Sequence, residues 1–290
     1  MHTLTIIPGA PKSGTTSLVD SIARSIEEVG YPIGEYIKEP GYLLKDAESK
    51  FLARRCIKDL NEYKRRILSH NGFSFDASQA YFTCSIDPLK LEEIRKTYAQ
   101  INILIMLRNP YDRIRSAYRM DLTNGWVDRN LDHYLIEEIN GNRNPYGAGP
   151  RYIEESLYSQ NINKLLGSIR PDDMKIILYE QYNDVNYITN VLKSQGFPYR
   201  MHHIEHSNVS QQSVPPKWIS SIKEVVPPSL RQRVRDSAIK QKFKNIIYRR
   251  VDTSSWESRL FPIDQIEADK GQLAQYLHSM QKEIIENWKA

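Results

Sequence analysis

Apolar positions along this chain alternate between two periods. Thr3-Leu4-Thr5-Ile6-Ile7 is β-branched and apolar and predicts a strand. Beyond it, Leu18, Ile22 and Ile26 recur every fourth residue with Val19 and Val29 beside them, predicting an amphipathic helix that stops at Gly30. Ile101 to Leu107 is almost wholly apolar, as expected of a strand buried on both faces of a parallel sheet. Met174 to Leu178 repeats that pattern, and Phe73 to Ala77 predicts a shorter strand. A further short strand is expected to end near Lys38, before the Pro40-Gly41 break.

Helical patterning fills the intervals. Two helices are expected across Ala47 to Ser69, and one after Asp87-Pro88, lined by Leu91, Ile94 and Tyr98. Others follow Asn109-Pro110 and run over Leu157 to Ile169 and Asn186 to Ser194. Asn140 to Pro150 is rich in turn residues and reads as a plain connector or as a lid and acceptor wall. The expected fold class is therefore α/β, a P-loop-type central parallel sheet flanked by helices, in one domain over residues 1–290. Residues 1–200 form its nucleotide-binding core and 201–290 a mainly helical extension. Leu273, Leu277, Met280, Ile284 and Trp288 make one stripe of a C-terminal helix, either docked on the core or forming an oligomer seam.

Composition narrows the class only slightly. The 290 residues carry a net charge of +5, which favours anionic ligands without naming one. Cys56 and Cys84 are the two cysteines and offer neither metal spacing nor a disulfide framework, so a reducing, cytoplasmic setting is expected. No apolar run approaches the roughly 18 residues of a membrane span, and the N-terminus lacks a basic leader, so neither span nor signal peptide is expected. His202 and His206 are four apart, but without a carboxylate or cysteine at ligand spacing they read as a surface cluster, and no metal is expected. Residues 217–250 hold ten Lys/Arg against Glu224 and Asp236, a net +8, which reads as a solvated helical face.

The candidate chemistry lies in Pro8-Gly9-Ala10-Pro11-Lys12-Ser13-Gly14-Thr15-Thr16-Ser17, between the first strand and the first helix. Such a loop aims backbone N–H groups and a positive helix end at an anion. A nucleoside-triphosphate loop places Lys directly after its second glycine. Here Thr15 holds that position and Lys12 lies inside the loop. A second cradle follows the buried strand. Arg108 leaves its carboxyl end, where open α/β sheets bind ligands, and Ser116 adds a hydroxyl from the next helix, three residues beyond Arg113.

Pro11-Lys12-Ser13-Gly14-Thr15-Thr16 resembles the 5′-phosphosulfate loop of sulfotransferases that use 3′-phosphoadenosine 5′-phosphosulfate (PAPS). Arg108-Asn109-Pro110 through Arg113, Ser116 and Tyr118 resembles their 3′-phosphate motif. The resemblance covers roughly residues 1–197 and includes Phe75-Asp76-Ala77-Ser78-Gln79-Ala80-Tyr81 and Ile177-Leu178-Tyr179-Glu180. It implies PAPS as co-substrate, held by Lys12, Ser13, Gly14, Thr15, Thr16, Ser17, Arg108 and Ser116. Lys12 would meet the charge on the leaving phosphate. Lys38-Glu39-Pro40 resembles the segment that carries the base in heparan-type saccharide sulfotransferases and their bacterial relatives, which implies Glu39 as base. The implied acceptor bears a hydroxyl, on a saccharide or small molecule, and neither nucleic acid nor a membrane is an expected partner. Two other readings stay open on sequence: a P-loop kinase or NTPase, for which Asp76 would have to hold Mg²⁺, and a non-catalytic anion-binding protein using the 217–250 segment.

Overall fold

The computed structural model describes residues 2–31, 36–45, 56–84, 86–124, 126–127, 130–141, 151–202, 204, 213–214, 249–250 and 261–289. Its centre is a five-stranded sheet of β1 (Thr3–Ile6), β2 (Leu68–His70), β3 (Phe73–Asp76), β4 (Gln100–Leu107) and β5 (Met174–Leu178), in the order β2-β3-β1-β4-β5. β1, β3, β4 and β5 are parallel, with Ile6 level with both Asp76 and Ile103. Their carboxyl ends therefore share one edge of the sheet.

The sheet is mixed rather than parallel throughout. β2 runs antiparallel to β3, with His70 opposite Phe73, across Asn71-Gly72. Both turn residues have positive φ, 45° and 82°, the geometry a two-residue hairpin needs. Asn-Gly was the signal for this hairpin, and helical patterning up to Ser69 concealed it. Among the described residues of that stretch the helix is α2 (Leu60–Arg66), capped by Asp59; residues 46–55 lie outside the described part.

β4 shows why both faces must be covered. Ile103, Ile105 and Leu107 pack into one core with Leu4 and Ile6. Leu104 and Met106 pack into the other with Ile7 and Ile177, the period of two carried through a wholly buried strand. The second face is closed by α1 (Thr15–Glu28), through Leu18, Ile22 and Ile26, and by α7 (Val185–Ser194). The first is closed by α3 (Pro88–Arg95), α6 (Tyr158–Leu166) and the C-terminal helices. α4 (Pro110–Asn124) and α5 (Leu131–Ile139) make a third cluster with Tyr152 and Phe261.

Two further expectations change. Tyr36 to Gly41 is irregular, not a strand; its nearest regular feature is a single bridge between Leu44 and Ile86. The C-terminal stripe is divided between α8 (Ile263–Leu273) and α9 (Ser279–Glu286), separated by a short turn. Leu273, Leu277 and Trp288 are buried in the first core, while Met280 is exposed, so most of the stripe is a docked face. In the basic stretch, β7 (Arg249–Arg250) pairs antiparallel with β6 (Ser213–Val214); its other residues, with His203 and His206, lie outside the described part.

Ile105 is fully buried at the middle of β4. Ile105→Ala should lower unfolding stability by about 2–5 kcal/mol with an unchanged urea slope. A loss below about 1 kcal/mol would show that this strand is not the core described.

Candidate active site at the strand tips

The loop after β1 is built into the sheet. Ile7 N–H donates to the Asp76 carbonyl at 2.7 Å, and Ala10 N–H to the Met106 carbonyl at 2.6 Å. Met106 N–H returns a bond to Gly9 at 2.8 Å, so the loop is stitched to the ends of β3 and β4. Gly9 has φ +151° and lies so close to Phe82 that a Cβ would stand 2.9 Å from that ring's own Cβ. Gly14, left-handed at φ 92°, precedes α1, which begins with no side-chain cap and no acidic residue in its first turn. Its leading N–H groups thus remain available to an anion.

The predicted loop residues divide. Ser13 is fully buried and its N–H donates to the Ala10 carbonyl at 3.2 Å, which closes the turn. Thr15 and Ser17 are buried and Thr16 is half-buried. The Thr15 hydroxyl accepts from the Gln79 side-chain amide at 2.9 Å. Lys12 is itself left-handed, φ 69°, and reaches the Met120 sulfur on α4 at 3.5 Å. Burial lowers the Lys12 pKa; Asp121 opposes the drop, and the charges of Arg108 and Arg113 add to it.

Arg108 stands at the tip of β4, next to β1. Its guanidinium lies 4.7 Å above the Tyr179 ring, and the edge of the same ring would lie 3.1 Å from a Cβ on Gly14. Tyr179 therefore wedges between Arg108 and the loop at Gly14, a contact its place in the sequence did not disclose. Asn109 accepts from Tyr111 N–H and starts α4, as the Asn-Pro signal predicts. Ser116 is buried on that helix. Arg113 turns inward instead. It is completely buried, donating to Ser156 Oγ at 2.7 Å, Glu155 Oε2 at 2.9 Å and the Tyr152 carbonyl at 2.5 Å. Asp121, absent from the expected set, accepts from Tyr152 Oη at 2.9 Å, and burial pushes its carboxyl up to about 6.

Glu39 sits on the β3 side of the same edge. It is left-handed at φ 62°; its N–H donates to the Ala77 carbonyl at 3.1 Å and its carboxylate accepts from Gln79 N–H at 2.7 Å. Among the described residues the non-glycine positions with positive φ are Lys12, Glu39 and the hairpin residue Asn71. The first two are the expected catalytic pair, and such backbone strain gathers at functional sites. Glu39 is exposed to solvent, yet protein atoms crowd around its carboxylate. That burial raises its carboxyl to about 7, against the pull of the Gln79 N–H; Asp76 raises it further and Lys38 lowers it. Lys38 is itself held by Asp20 of α1 at 2.5 Å.

Asp76, beneath Glu39, is saturated. It accepts from Ser78 Oγ at 2.6 Å and from the Tyr63 and Tyr81 hydroxyls at 2.9 Å each. Burial holds it at about 6 despite those donors. Among the described residues no group of His, Cys, Asp or Glu could hold a metal ion, and no helix is long and apolar enough to cross a membrane.

No family model matches the sequence, and no curated protein matches it significantly. Solved structures do. A sulfotransferase from Alicyclobacillus acidocaldarius is 20% identical, with 87% of this chain and 97% of that one covered at a TM-score of 0.51. A mouse sulfotransferase complexed with PAP is 13% identical over 99% of this chain and 89% of that one, with a TM-score of 0.44. The sulfotransferase domain of a Synechococcus olefin synthase is 14% identical over 93% of each chain, with a TM-score of 0.39. The first likeness shows that this chain has the sulfotransferase fold.

Glu39, Asp76 and Asp121 each hold protons to higher pH in the folded than in the unfolded chain. Between the ordinary value of 4.5 and about 7 for Glu39, the unfolded state is the more ionised, so folding stability falls as pH rises through that window. Glu39→Gln cannot ionise. Urea unfolding should find it more stable relative to wild type at pH 8 than at pH 4; an equal difference at both would contradict the burial described.

Proposed function

We propose that this protein is a PAPS-dependent sulfotransferase acting on an acceptor hydroxyl. The observation that carries the reading is the pair of cradles on adjacent strand tips, with Lys12 and Arg108 close enough for each charge to bear on the other. A nucleotide phosphorylated at both ends of its ribose suits that arrangement. The uncapped start of α1, where Gly14 lets the backbone pass close against Tyr179, fits one phosphate. Arg108, spread over Tyr179, and Ser116 fit the other. Gly14, Thr15, Thr16 and Ser17 supply N–H and hydroxyl donors to the first, and Ser13 holds their turn.

Bound there, PAPS supplies the sulfuryl group, which passes to the acceptor oxygen as its bond to the 5′-phosphate breaks. The protein's task in such a transfer is positioning and charge stabilisation. Lys12 meets the negative charge that builds on the bridging oxygen. A pre-aimed donor of this kind is worth about 3 kcal/mol, a hundredfold in rate or more. Glu39, with a carboxyl near 7, takes the acceptor's proton at neutral pH and releases it readily afterwards. The acceptor is a saccharide or other small hydroxylic molecule.

The kinase or NTPase reading lacks its lysine, because Thr15 follows Gly14, and its Mg²⁺ ligand, because three hydroxyls occupy Asp76. No observation favours the non-catalytic reading.

The test is sulfuryl transfer from labelled PAPS with nucleotide calorimetry alongside. Wild type should bind 3′,5′-phosphoadenosine and not ATP. Lys12→Ala should lose at least about a hundredfold in turnover. Arg108→Ala should weaken the nucleotide at least about tenfold. Glu39→Gln should lose turnover at undiminished nucleotide affinity. ATP binding in place of the bisphosphate would overturn the function, and full turnover in Glu39→Gln would overturn the base.

A further inference from the structure

Gln79 touches both halves of the site. Its backbone N–H donates to Glu39 Oε2 at 2.7 Å, and its side-chain Nε2 donates to Thr15 Oγ1 at 2.9 Å. One residue thus spans the carboxylate on the β3 side and the first residue of α1. Its own position is fixed from beneath. Gln79 opens a short 3-10 turn, Gln79–Phe82, preceded by Ser78 in extended conformation at φ −111° and ψ 96°. Ser78 Oγ donates to Asp76 and accepts from Gly41 N–H at 2.9 Å. Tyr81 Oη donates to Asp76 and accepts from Leu43 N–H at 3.0 Å. The buried Asp76 therefore anchors the turn that carries Gln79 and the 39–43 segment together.

We propose that Gln79 is a positioning residue that couples the two halves: its N–H holds and aims the Glu39 carboxylate, and its amide turns the Thr15 hydroxyl proton toward the anion loop. With its lone pair engaged by Nε2–H, the Thr15 oxygen has its own O–H left to donate. The proposal rests on the reading of Glu39 as base and of the loop as the phosphate cradle.

The two arms of Gln79 are separable. Gln79→Ala removes the amide and keeps the N–H. Gln79→Pro removes both, at a position that accepts proline: the first residue of a turn, after an extended residue, whose N–H is spent on Glu39 alone among the described groups. Gln79→Glu replaces the donor to Thr15 with an acceptor. The charges facing Glu39 stay constant between the alanine and proline variants: Asp76 of β3, and Lys38 of its own segment with Asp20 of α1 behind it.

Two readouts on the full-length protein decide it. One is the Glu39 carboxyl titration by carbon-13 NMR, assigned with Glu39→Gln. The other is calorimetry with 3′,5′-phosphoadenosine. Gln79→Ala should leave the Glu39 midpoint in place and weaken the nucleotide about three- to tenfold, the loss of one neutral hydrogen bond. Gln79→Pro should raise the midpoint by about one pH unit relative to Gln79→Ala, since a donor to the ionised form is gone. Gln79→Glu should weaken the nucleotide more than Gln79→Ala. In wild type the Gln79 amide proton should titrate with the Glu39 midpoint, a check that does not depend on the proline variant folding. Equal midpoints for the alanine and proline variants, or a Gln79 amide indifferent to Glu39, would overturn the first arm. Unchanged nucleotide affinity in Gln79→Ala and Gln79→Glu would overturn the second. If wild type binds no nucleotide, the functional reading fails and the amide arm fails with it, while the NMR arm still stands or falls on its own.

Discussion

Two positive side chains share one partly dry wall, and the rest of the molecule is arranged so that they stay there. Burial presses on the Lys12 charge, Asp121 offsets part of that, and Arg108 and Arg113 press in the same direction as burial. Left alone, such charges would swing apart into water. The sheet prevents it. Lys12 rides on a loop hydrogen-bonded to β3 and β4, and Arg108 is pinned over the ring that backs Gly14. An anion between them would relieve the repulsion, which is what the proposed nucleotide supplies.

The opposite wall carries the complementary problem. Asp76 is buried and kept by three hydroxyl donors, with no cation partner among the described residues, and Glu39 stands above it in left-handed backbone. Each carboxyl holds its proton to an unusually high pH, which costs stability near neutrality. A chain selected for stability alone would not keep these features together at one sheet edge. Arg113 shows the contrasting case. Its charge is matched by Glu155 and two oxygen acceptors, and it braces α4 to residues 152–156 without facing the cleft.

How far the sequence could be read followed physical rules. β1, α1, β4 and β5 were legible because each presents a long, consistent apolar period, and Asn109-Pro110 announced α4 through local capping chemistry. β2 was lost because three residues are too few for a period; the Asn71-Gly72 turn was its one strong trace. The division of the C-terminal stripe was hidden because Leu273 and Leu277 stay in helical register across the break. Lys12 and Arg108 were singled out by the loop after β1 and the tip of β4, and Glu39 by its resemblance alone. Tyr179, Asp121 and Gln79 were not, since their roles come from contacts between segments far apart in the chain. Gly9 and Gly14, by contrast, stand where the backbone takes positive φ against Phe82 and Tyr179, so their identity is a packing requirement.

The central claim is that both cradles grip one molecule. The direct measurement is calorimetric titration of the wild-type protein with 3′,5′-phosphoadenosine, 5′-AMP and 3′-AMP under identical salt. The account predicts that the bisphosphate binds at least about tenfold more tightly than either monophosphate, because each charge-assisted cradle contributes on the order of 1.5–3 kcal/mol. Equal affinity for the bisphosphate and one monophosphate would mean that only one cradle engages the nucleotide, and would contradict it.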